Sequence, residues 1–480
     1  MRQALHIFDK DVRFLWLPIL VVLAMTALFA WSRCADPSTF AMGNAIPDDL
    51  LGMISFFLAM CWWYFIACLI YQEQPAGDCQ FWVTRPYSWK SLLAAKALAT
   101  VAFINVPFLI SDMAILWANG FSPARAAASL LGRQIAITAI ILLPAAAIAA
   151  ATRHLAQVAF AGLTLSALYS VAHGAGDLDQ SWHRLAWIPT CTAVVVLAGG
   201  TFVALIWQFA RRRTPITRAV LAGVCGISAA MPMAKPFAGA IALQSLFPAA
   251  SQSVLAVHLS FAPDSHDPVI NGRLAIRIDG LPPATRVAAD LVEAAIRGPN
   301  GASWRSGWIS SNRPYGNPAP MEWSQPWENG QNPVLYVKIG QRVLDRFQSQ
   351  PVNVRVSMAM TIFRAETTTQ MIPDERPHPI AGLGVCSARS SDAAGSSLLL
   401  CRSAEFQSAG LRINGQTVMD ASYAPSLAAF EETPVYTSRV VGYLFHEGSP
   451  FDVTTERPIA HLRRDLEIRQ IRLGEEPSQR

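Results

Sequence analysis

Long apolar runs alternate with short polar segments over the first half of the chain. Five runs contain no Asp, Glu, Lys or Arg, and they lie at 14–31, 50–71, 134–152, 155–172 and 185–210. A helix needs about 20 apolar residues to cross a hydrocarbon core of about 30 Å, so each run is expected to span a membrane. This half of the chain is therefore expected to form a polytopic helical membrane domain.

Two further apolar runs set the number of spans. The run at 97–118 carries one acid, Asp112, and a proline in its middle. The run at 219–234 is short and stops at Lys235. The pattern thus predicts six transmembrane helices and leaves a seventh open, for a total of about six to seven.

The second half of the chain has the periodicity of strands. Apolar residues alternate with polar or small ones at 255–261, at 274–278 and, over the longest stretch, at 352–362. Turn-rich segments separate these stretches, which favours a mostly β, sandwich-like soluble domain. A short helix is expected at 341–347 and a last strand at 464–473.

Composition supports this division. Of 480 residues, 52% are hydrophobic and only 15% are charged, which is too apolar for a purely soluble chain. We expect an interfacial amphipathic helix at 1–13, a transmembrane helical domain at 14–250 and a β-rich domain at 251–480. The formal charge of +5 comes with no basic stripe in the β-rich half, so nucleic acid is not an expected partner.

Basic residues near the apolar runs predict the orientation. Lys and Arg concentrate in 1–13, in 72–96, at Arg153 and in 211–218, which the positive-inside rule assigns to the cytoplasm. We therefore expect a multi-pass protein of the plasma (inner) membrane, embedded in the lipid bilayer, with a cytoplasmic N-terminus. Seven spans would make the C-terminal domain extracytoplasmic, whereas six would keep it in the cytoplasm.

Two cysteines bear on that choice. Cys386 and Cys401 flank a loop rich in Ser and Gly in the β-rich half. A disulfide between them would require an oxidising compartment and would favour the extracytoplasmic placement; two unpaired thiols are the alternative.

Catalytic signatures are sparse along the chain. It has no GxxxxGK[ST] phosphate loop, HExxH, GxSxG or paired CxxC motif, so no enzyme activity, cofactor or metal is expected. His173, Asp177, Asp179 and His183 fit a solvated loop better than a metal site. Asp112 lies about two turns from the end of its helix, which favours an interfacial position, with a place on a transport pathway as the alternative.

The polar segment at 72–96 has a specific order of residues. Glu73 is followed by Gly77, then by Thr84, Arg85 and Pro86, and then by a helix start with lysines. This order resembles the coupling-helix segment of type-2 ABC exporter permeases, and the amphipathic pattern of 1–13 resembles their elbow helix. The resemblance covers residues 1 to about 235; a large C-terminal domain is not part of the usual family pattern.

The resemblance implies a function and a partner. A separate ATP-binding ATPase subunit would dock on segment 72–96 of a permease-like subunit, which would act as a homodimer or heterodimer. The residues implied in docking are Glu73, Gly77, Phe81, Trp82, Thr84, Arg85, Pro86, Tyr87, Trp89 and Lys90. The aromatic ones could carry interface energy or could form an interfacial belt. The alternative function is a membrane-anchored extracytoplasmic binding or assembly module without an ATPase, and a polytopic enzyme ranks third.

Overall fold

The described part of the chain comprises a helical half and a sheet-rich half. The computed structural model describes residues 2–34, 48–73, 88–177, 187–231, 237–246, 251–261, 273–309, 321–324, 334–347, 350–373, 377–381, 383–391, 396–404, 410–414, 416–420, 434, 436–442 and 449–473. The α-helices are α1 (Arg2–Phe14), α2 (Trp16–Cys34), α3 (Asp48–Tyr71), α4 (Trp89–Thr100), α5 (Val106–Ala118), α6 (Ala127–Ile137), α7 (Leu143–Ala151), α8 (Leu155–Asp177), α9 (Trp187–Arg211), α10 (Thr214–Ala230), α11 (Phe237–Gln244), α12 (Gln252–Leu255) and α13 (Gln341–Phe347).

Among the described residues, five helical segments are long and apolar enough to cross a membrane. They are Trp16–Cys34, Leu50–Tyr71, Trp89–Ala118, Ala127–Ala151 and Ile188–Arg211. Shorter apolar segments lie at Leu155–Leu165 within α8 and at Thr214–Ala230. The chain is therefore consistent with a multi-pass membrane protein, although length and composition identify five spans rather than six or seven.

Two of these segments each contain one turn of π-helix. The first π-helical segment, π1 (Val101–Asn105), joins α4 to α5, and the second, π2 (Thr138–Leu142), joins α6 to α7. In each case a proline follows two residues later, Pro107 after π1 and Pro144 after π2. Proline lacks an amide hydrogen and its ring collides with the carbonyl four residues back, so the helix widens just ahead of it.

Helix α10 runs back along α9. Thr217 Oγ1 donates to Gln208 Oε1 at 2.9 Å near one end of the pair, and Ser228 Oγ donates to the Ala193 carbonyl at 2.9 Å near the other. A Cβ atom on Gly200 would collide with the side chain of Val224, so the glycine permits the close approach. The 17 residues of α10 span roughly 25 Å at about 1.5 Å per residue. The chain thus returns to the end of the bundle where α9 begins.

The strands form three sheets. In chain order they are β1 (His258–Phe261), β2 (Arg273–Asp279), β3 (Thr285–Arg297), β4 (Ser303–Arg305), β5 (Met321–Ser324), β6 (Val334–Ile339), β7 (Pro351–Met371), β8 (His378–Ile380), β9 (Gly384–Ser391), β10 (Ser396–Ser403), β11 (Gly410–Ile413), β12 (Gln416–Asp420), β13 (Tyr436–Gly442) and β14 (Phe451–Arg472). The sheet orders are β1-β2-β6-β5, β13-β10-β9-β8 and β12-β11-β14-β7-β3-β4, with antiparallel pairing throughout the described ladders.

The long strands β7 and β14 join two apolar cores. Met358 of β7 packs in one core with Ile276 of the first sheet. Met371 of β7 and Phe451 of β14 pack in the other core with Leu399 of the second sheet. The sheet-rich region therefore contains two sandwich-like cores along one antiparallel ribbon.

Several predicted elements are confirmed and two need correction. The helices at 1–13 and 341–347 and the strands at 274–278 and 352–362 are present, with small shifts at their ends. Residue 255, predicted in a strand, ends the helical turn α12, because the buried Val254 and Val257 have helical spacing while Leu255 is exposed. The last strand begins at Phe451 rather than at residue 464, since register shifts after Thr455, Pro458 and Ile468 interrupt the alternation.

The sheet-rich half packs against one end of the helical bundle. Arg402 Nη1 donates to Oδ1 of Asn119, which caps α5, at 3.2 Å, and Gln244 of α11 hydrogen-bonds His461 of β14 at 3.0 Å. Ile188, at the start of α9, shares a buried apolar cluster with Leu291 of β3. Helix α1 instead packs on α4. Helices α4 and α5 form the two ends of the segment Trp89–Ala118, so α1 lies at the end away from Asn119. Helix α1 and the sheets therefore lie at opposite ends of the bundle.

Candidate functional site

The two ends of segment 72–96 are the described part of the predicted docking site. Residues 74–87 lie outside the described residues, and they include Gly77, Phe81, Trp82, Thr84, Arg85, Pro86 and Tyr87. Glu73 follows α3, and Ser88 starts α4 as its N-cap, accepting a hydrogen bond from the Ser91 amide at 3.1 Å. Residues 74–87 are therefore flanked by the end of α3 and the start of α4.

Glu73 belongs to a cluster of four alternating charges, which we call the charge cluster: the buried Asp11, Glu73 and Lys96 and the partly exposed Lys10. Lys96 Nζ donates to Asp11 Oδ2 at 2.7 Å, and Lys10 Nζ donates to Glu73 Oε1 at 2.5 Å. Lys10 Nζ also lies 3.7 Å from Asp11 Oδ1. Two acids and two bases neutralise one another, which is the condition under which such groups can be buried in an apolar core.

The charge cluster joins three helices that are distant in sequence. Asp11 is 1% exposed and Lys96 4% exposed, and Glu73 is buried beside them. Lys10 and Asp11 lie on α1, Glu73 ends the turn after α3, and Lys96 lies about two turns into α4. The amphipathic N-terminal helix is thus ion-paired to both ends of segment 72–96.

The other two described docking residues differ in exposure. Trp89, at the first position of α4, is partly buried against the apolar core of the bundle. Lys90 is exposed, and its Nζ lies 5.7 Å from the centre of the Trp89 ring. Lys90 is accessible to a partner, whereas much of the Trp89 ring already packs within the chain.

Further contacts hold the same end of the bundle together. Tyr71 Oη and Thr152 Oγ1 share a hydrogen bond of 2.8 Å between α3 and the end of α7. Arg218 of α10 donates from Nε to the Ala151 carbonyl at 2.9 Å, where a cation also meets the negative end of the α7 dipole. These contacts link α3, α7 and α10 around the charge cluster's end of the bundle.

A second buried ion pair lies in the other half of the bundle. Arg133 Nε donates to Asp112 Oδ2 at 3.1 Å, and Asp112 is fully buried. The burial of Asp112 describes its packing inside the protein, so its interfacial position and its place on a pathway both stay predictions; Arg133 is part of α6. Arg133 also lies over the Phe108 ring, 5.3 Å from its centre. Helices α5 and α6 run antiparallel after a short connection, so each ion can satisfy the other inside the protein.

An apolar groove of about 560 Å³ lies between these two charged sites. Its walls come from α3, α4, π1, α6, π2, α7 and α9, and Lys96 and Gln134 border it. Asn105 of π1 donates to Gln134 Oε1 at 3.2 Å and to Thr138 Oγ1 at 3.0 Å across the groove's lining. The groove is therefore largely apolar, with the side-chain amides of Asn105 and Gln134 together at one place in its lining.

Cys386 and Cys401 form a disulfide, with an S–S distance of 2.10 Å. The two residues are direct partners on the adjacent antiparallel strands β9 and β10, and both are buried. The segment between the two cysteines, rich in Ser and Gly, therefore belongs to a β-hairpin formed by β9 and β10. It is not a loop closed by the disulfide alone. This bond lies in the second apolar core, away from the helical bundle.

No group of three or more His, Cys, Asp or Glu residues suited to a metal ion occurs among the described residues. The loop with Asp179 and His183 lies outside them, as do the side chains of His173 and Asp177.

Sequence reasoning missed several residues that the structure brings together. In the sequence, Lys10 and Lys96 serve only as orientation signals, Asp11 has no assigned role, and Gln134 is only the start of an apolar run. One signal was present: Asp11 follows the apolar Ile7 by one helical turn, so both lie on the face of an amphipathic helix that is expected to be buried, where an acid needs a partner. The identity of the partner could not be found from that spacing, because Lys96 lies 85 residues away.

Comparison with models of known protein families found no match, and a search among curated proteins found none either. The resemblance to type-2 ABC exporter permeases therefore rests on the residues of segments 1–13 and 72–96.

Proposed function

We propose that the protein is the membrane-spanning, permease-like subunit of an ABC-type transporter, and that a separate ATPase couples to it through segment 72–96. The observation that carries this proposal is the charge cluster. Glu73 is the first of the docking residues and Lys96 follows the last of them, and both pair with adjacent residues of α1. A push on the segment would reach α1, α3 and α4 together, as a coupling element requires.

In this proposal the docking residues have different roles. Lys90, which is exposed, and Arg85 would meet the ATPase directly, with Phe81, Trp82 and Tyr87 as aromatic anchors. Gly77, Thr84 and Pro86 would shape the turn. Glu73 and the partly buried Trp89 would position the segment instead of contacting the partner.

The proposed topology has seven crossings, with α8 and α10 added to the five long segments. Segments 1–13 and 72–96 would face the cytoplasm, and the sheet-rich half would be extracytoplasmic in the plasma membrane. Three observations support this arrangement: basic residues collect at the end of the bundle that holds α1, the sheets pack at the other end, and the sheets contain a disulfide. The antiparallel course of α10 accounts for the seventh crossing without a long apolar run.

A dimer would complete the transporter. The aromatic and aliphatic side chains that α2 and α3 expose, among them Trp16, Leu20, Phe56 and Phe57, could face lipid or a second permease-like subunit. That subunit would be a second copy of this chain or a related chain.

The alternative is a membrane-anchored extracytoplasmic module that needs no ATPase. The observation in its favour is the direct packing of the sheets on the bundle through Arg402, Gln244 and the cluster around Ile188. Such contacts would also hold a binding domain in a fixed orientation above the membrane.

Co-purification from the native host separates these functions. Wild type would be compared with an Arg85→Glu, Lys90→Glu variant and with an Arg153→Glu, Arg211→Glu control. The control makes the same charge change at exposed residues that lie at the same end of the bundle but outside segment 72–96. An ATPase found by mass spectrometry with wild type and control, but lost from the segment variant, is the expected result. Absence of an ATPase from all three folded proteins would overturn the proposal and favour the module.

A further inference from the structure

The apolar groove between α3, α4, α6 and α9 contains a buried donor without a partner. Gln134 is 8% exposed and borders the groove, and its Nε2 has no hydrogen-bond partner among the described residues. Leaving a buried amide donor unpaired is unfavourable, so such a group is expected to be satisfied by something that occupies the groove.

The surrounding hydrogen bonds determine which atom of Gln134 faces the groove without a partner. Thr138 Oγ1 donates its only hydrogen to the backbone carbonyl of Gln134 at 2.8 Å. The Thr138 oxygen can therefore only accept a further hydrogen bond. Asn105 lies 3.0 Å from that oxygen and must present its NH₂ group there. The second hydrogen of this NH₂ points to a side-chain atom of Gln134 that lies 3.2 Å away. That atom must be an acceptor, so it is the amide oxygen Oε1. The unpaired end of Gln134 is its NH₂, a donor.

The remainder of the groove selects for hydrocarbon. Most of the lining is aliphatic, with Ile66, Ile70, Leu93, Leu142 and Leu205 among the residues, and the ammonium of Lys96 at the border is paired with Asp11. Its volume of about 560 Å³ is within the range of roughly 300–1,000 Å³ that is usual for ligand sites.

The groove opens on the outer surface of the helical bundle. Val101 and Ile135 border it and are 48% and 62% exposed, and both belong to segments long enough to cross a membrane. In a bilayer, this opening faces acyl chains. An amphiphile could enter sideways from the lipid phase.

Both π-helical segments contribute to the groove. Val101 and Asn105 belong to π1, and Thr138, Ala139 and Leu142 belong to π2. A π-turn shifts the following side chains around the helix axis and is found most often at functional positions. The two widened turns place Asn105 and Thr138 within hydrogen-bonding distance where the helices face each other.

We infer that this groove is a binding site for one acyl chain of an amphiphile, with the carbonyl oxygen at the head of the chain accepting a hydrogen bond from Gln134 Nε2. The site belongs to the isolated chain and does not depend on an ATPase partner. Its failure would therefore leave the proposed transporter untouched, and failure of the ATPase proposal would leave this site untouched.

Ester and ether amphiphiles test the inference, because they differ in the carbonyl. The full chain would be purified, stripped of lipid and titrated with palmitoyl lysophosphatidylcholine and with its hexadecyl ether analogue, with binding followed by native mass spectrometry. The ester should bind about fivefold more tightly than the ether, which is the usual net effect of one hydrogen bond. Gln134→Leu should abolish this preference while retaining binding of the ether.

A pair of matched variants tests the location. Ala97 is exposed and borders the groove, whereas Ala94 is exposed on the same helix and does not line it. Ala97→Phe should reduce binding of both amphiphiles at least tenfold, and Ala94→Phe should leave it unchanged. Equal affinity of wild type for ester and ether would overturn the role of Gln134. Undiminished binding by Ala97→Phe would overturn the groove as the site.

Discussion

Removing Lys96 should destabilise the protein more than removing any exposed lysine of the same region. Lys96→Met deletes the cation that lies 2.7 Å from Asp11 and leaves a carboxylate that is 1% exposed. Breaking a buried pair from one side costs about 3–5 kcal/mol. Lys10 still lies 3.7 Å from Asp11 and is 40% exposed, so it partly compensates the charge. We therefore expect a loss near the lower end of that range, about 3 kcal/mol.

The reverse truncation and the double variant complete a thermodynamic cycle. Asp11→Leu leaves the Lys96 ammonium buried and should cost a similar amount, so the two single effects would sum to roughly 6 kcal/mol. The double variant removes both charges and fills the space with apolar atoms. It should therefore lie within about 1 kcal/mol of wild type, because well-packed apolar residues replace a buried pair at little cost.

The assay is unfolding of the purified protein in mild detergent by increasing fractions of SDS, followed by tryptophan fluorescence. Lys90→Met serves as the matched control, since Lys90 is exposed on the same helix and contacts only the Trp89 ring in the described contacts. Its effect should stay within about 0.5–1 kcal/mol. The reasoning would be refuted if Lys96→Met behaved like Lys90→Met, or if the double variant lost as much as the two single variants together.

Three other outcomes are expected. In intact cells, a membrane-impermeant maleimide should label Gln341→Cys above the wild-type background, whereas Lys90→Cys should be labelled only after the cells are opened; the reverse pattern would invert the proposed topology. Reduction, or a Cys386→Ser, Cys401→Ser variant, should lower the melting temperature of the protein made in an oxidising compartment, since removing a native disulfide typically costs about 2–5 kcal/mol. Burial opposes ionisation of Asp465, but hydrogen bonds from Ser357 and Arg355 and the charges of Arg355 and Arg463 lower the pKa of its carboxyl overall. A lowered pKa stabilises the fold above the ordinary carboxyl value of about 3.9, and the benefit disappears as the pH falls through the lower folded value. Asp465→Asn should therefore destabilise the protein at about pH 7, and the loss should shrink as the pH falls below the ordinary carboxyl value of about 3.9, which unfolding over a series of pH values would check; a loss independent of pH would contradict the electrostatic account.

The coarse architecture could be predicted from the sequence because it depends on local periodicity. Runs such as 50–71 contain enough apolar residues to identify a membrane helix without any tertiary information, and the alternation at 352–362 identifies the centre of β7. The opposed positions of Cys386 and Cys401 were also within reach, since a hairpin brings such residues together.

The ends of elements and the polar contacts were not predictable, for a physical reason. The apolar run predicted at 134–152 starts just after Arg133 because a charge within an apolar helix is costly, and only the partner Asp112 removes that cost and lets the helix begin at Ala127. The start of β14 was hidden because its bulges shift the alternation, and bulges depend on the partner strand β7. In each case the deciding contact lies far away in the sequence.

The charge cluster is better explained by orientation than by stability. A buried ion pair is weak evidence for stabilisation, because apolar residues of similar volume serve as well or better; the best-attested use of such a pair is to select one arrangement of helices. Here the selected arrangement fixes α1 against both ends of segment 72–96, while the sheets occupy the far end of the bundle. Apolar contacts specify the register of α1 on α4 less strictly than paired charges do. If the segment receives an ATPase, the Asp11→Leu, Lys96→Met variant should stay folded and retain the partner, yet respond less to ATP, because the connection between the loop and the helices would no longer be unique.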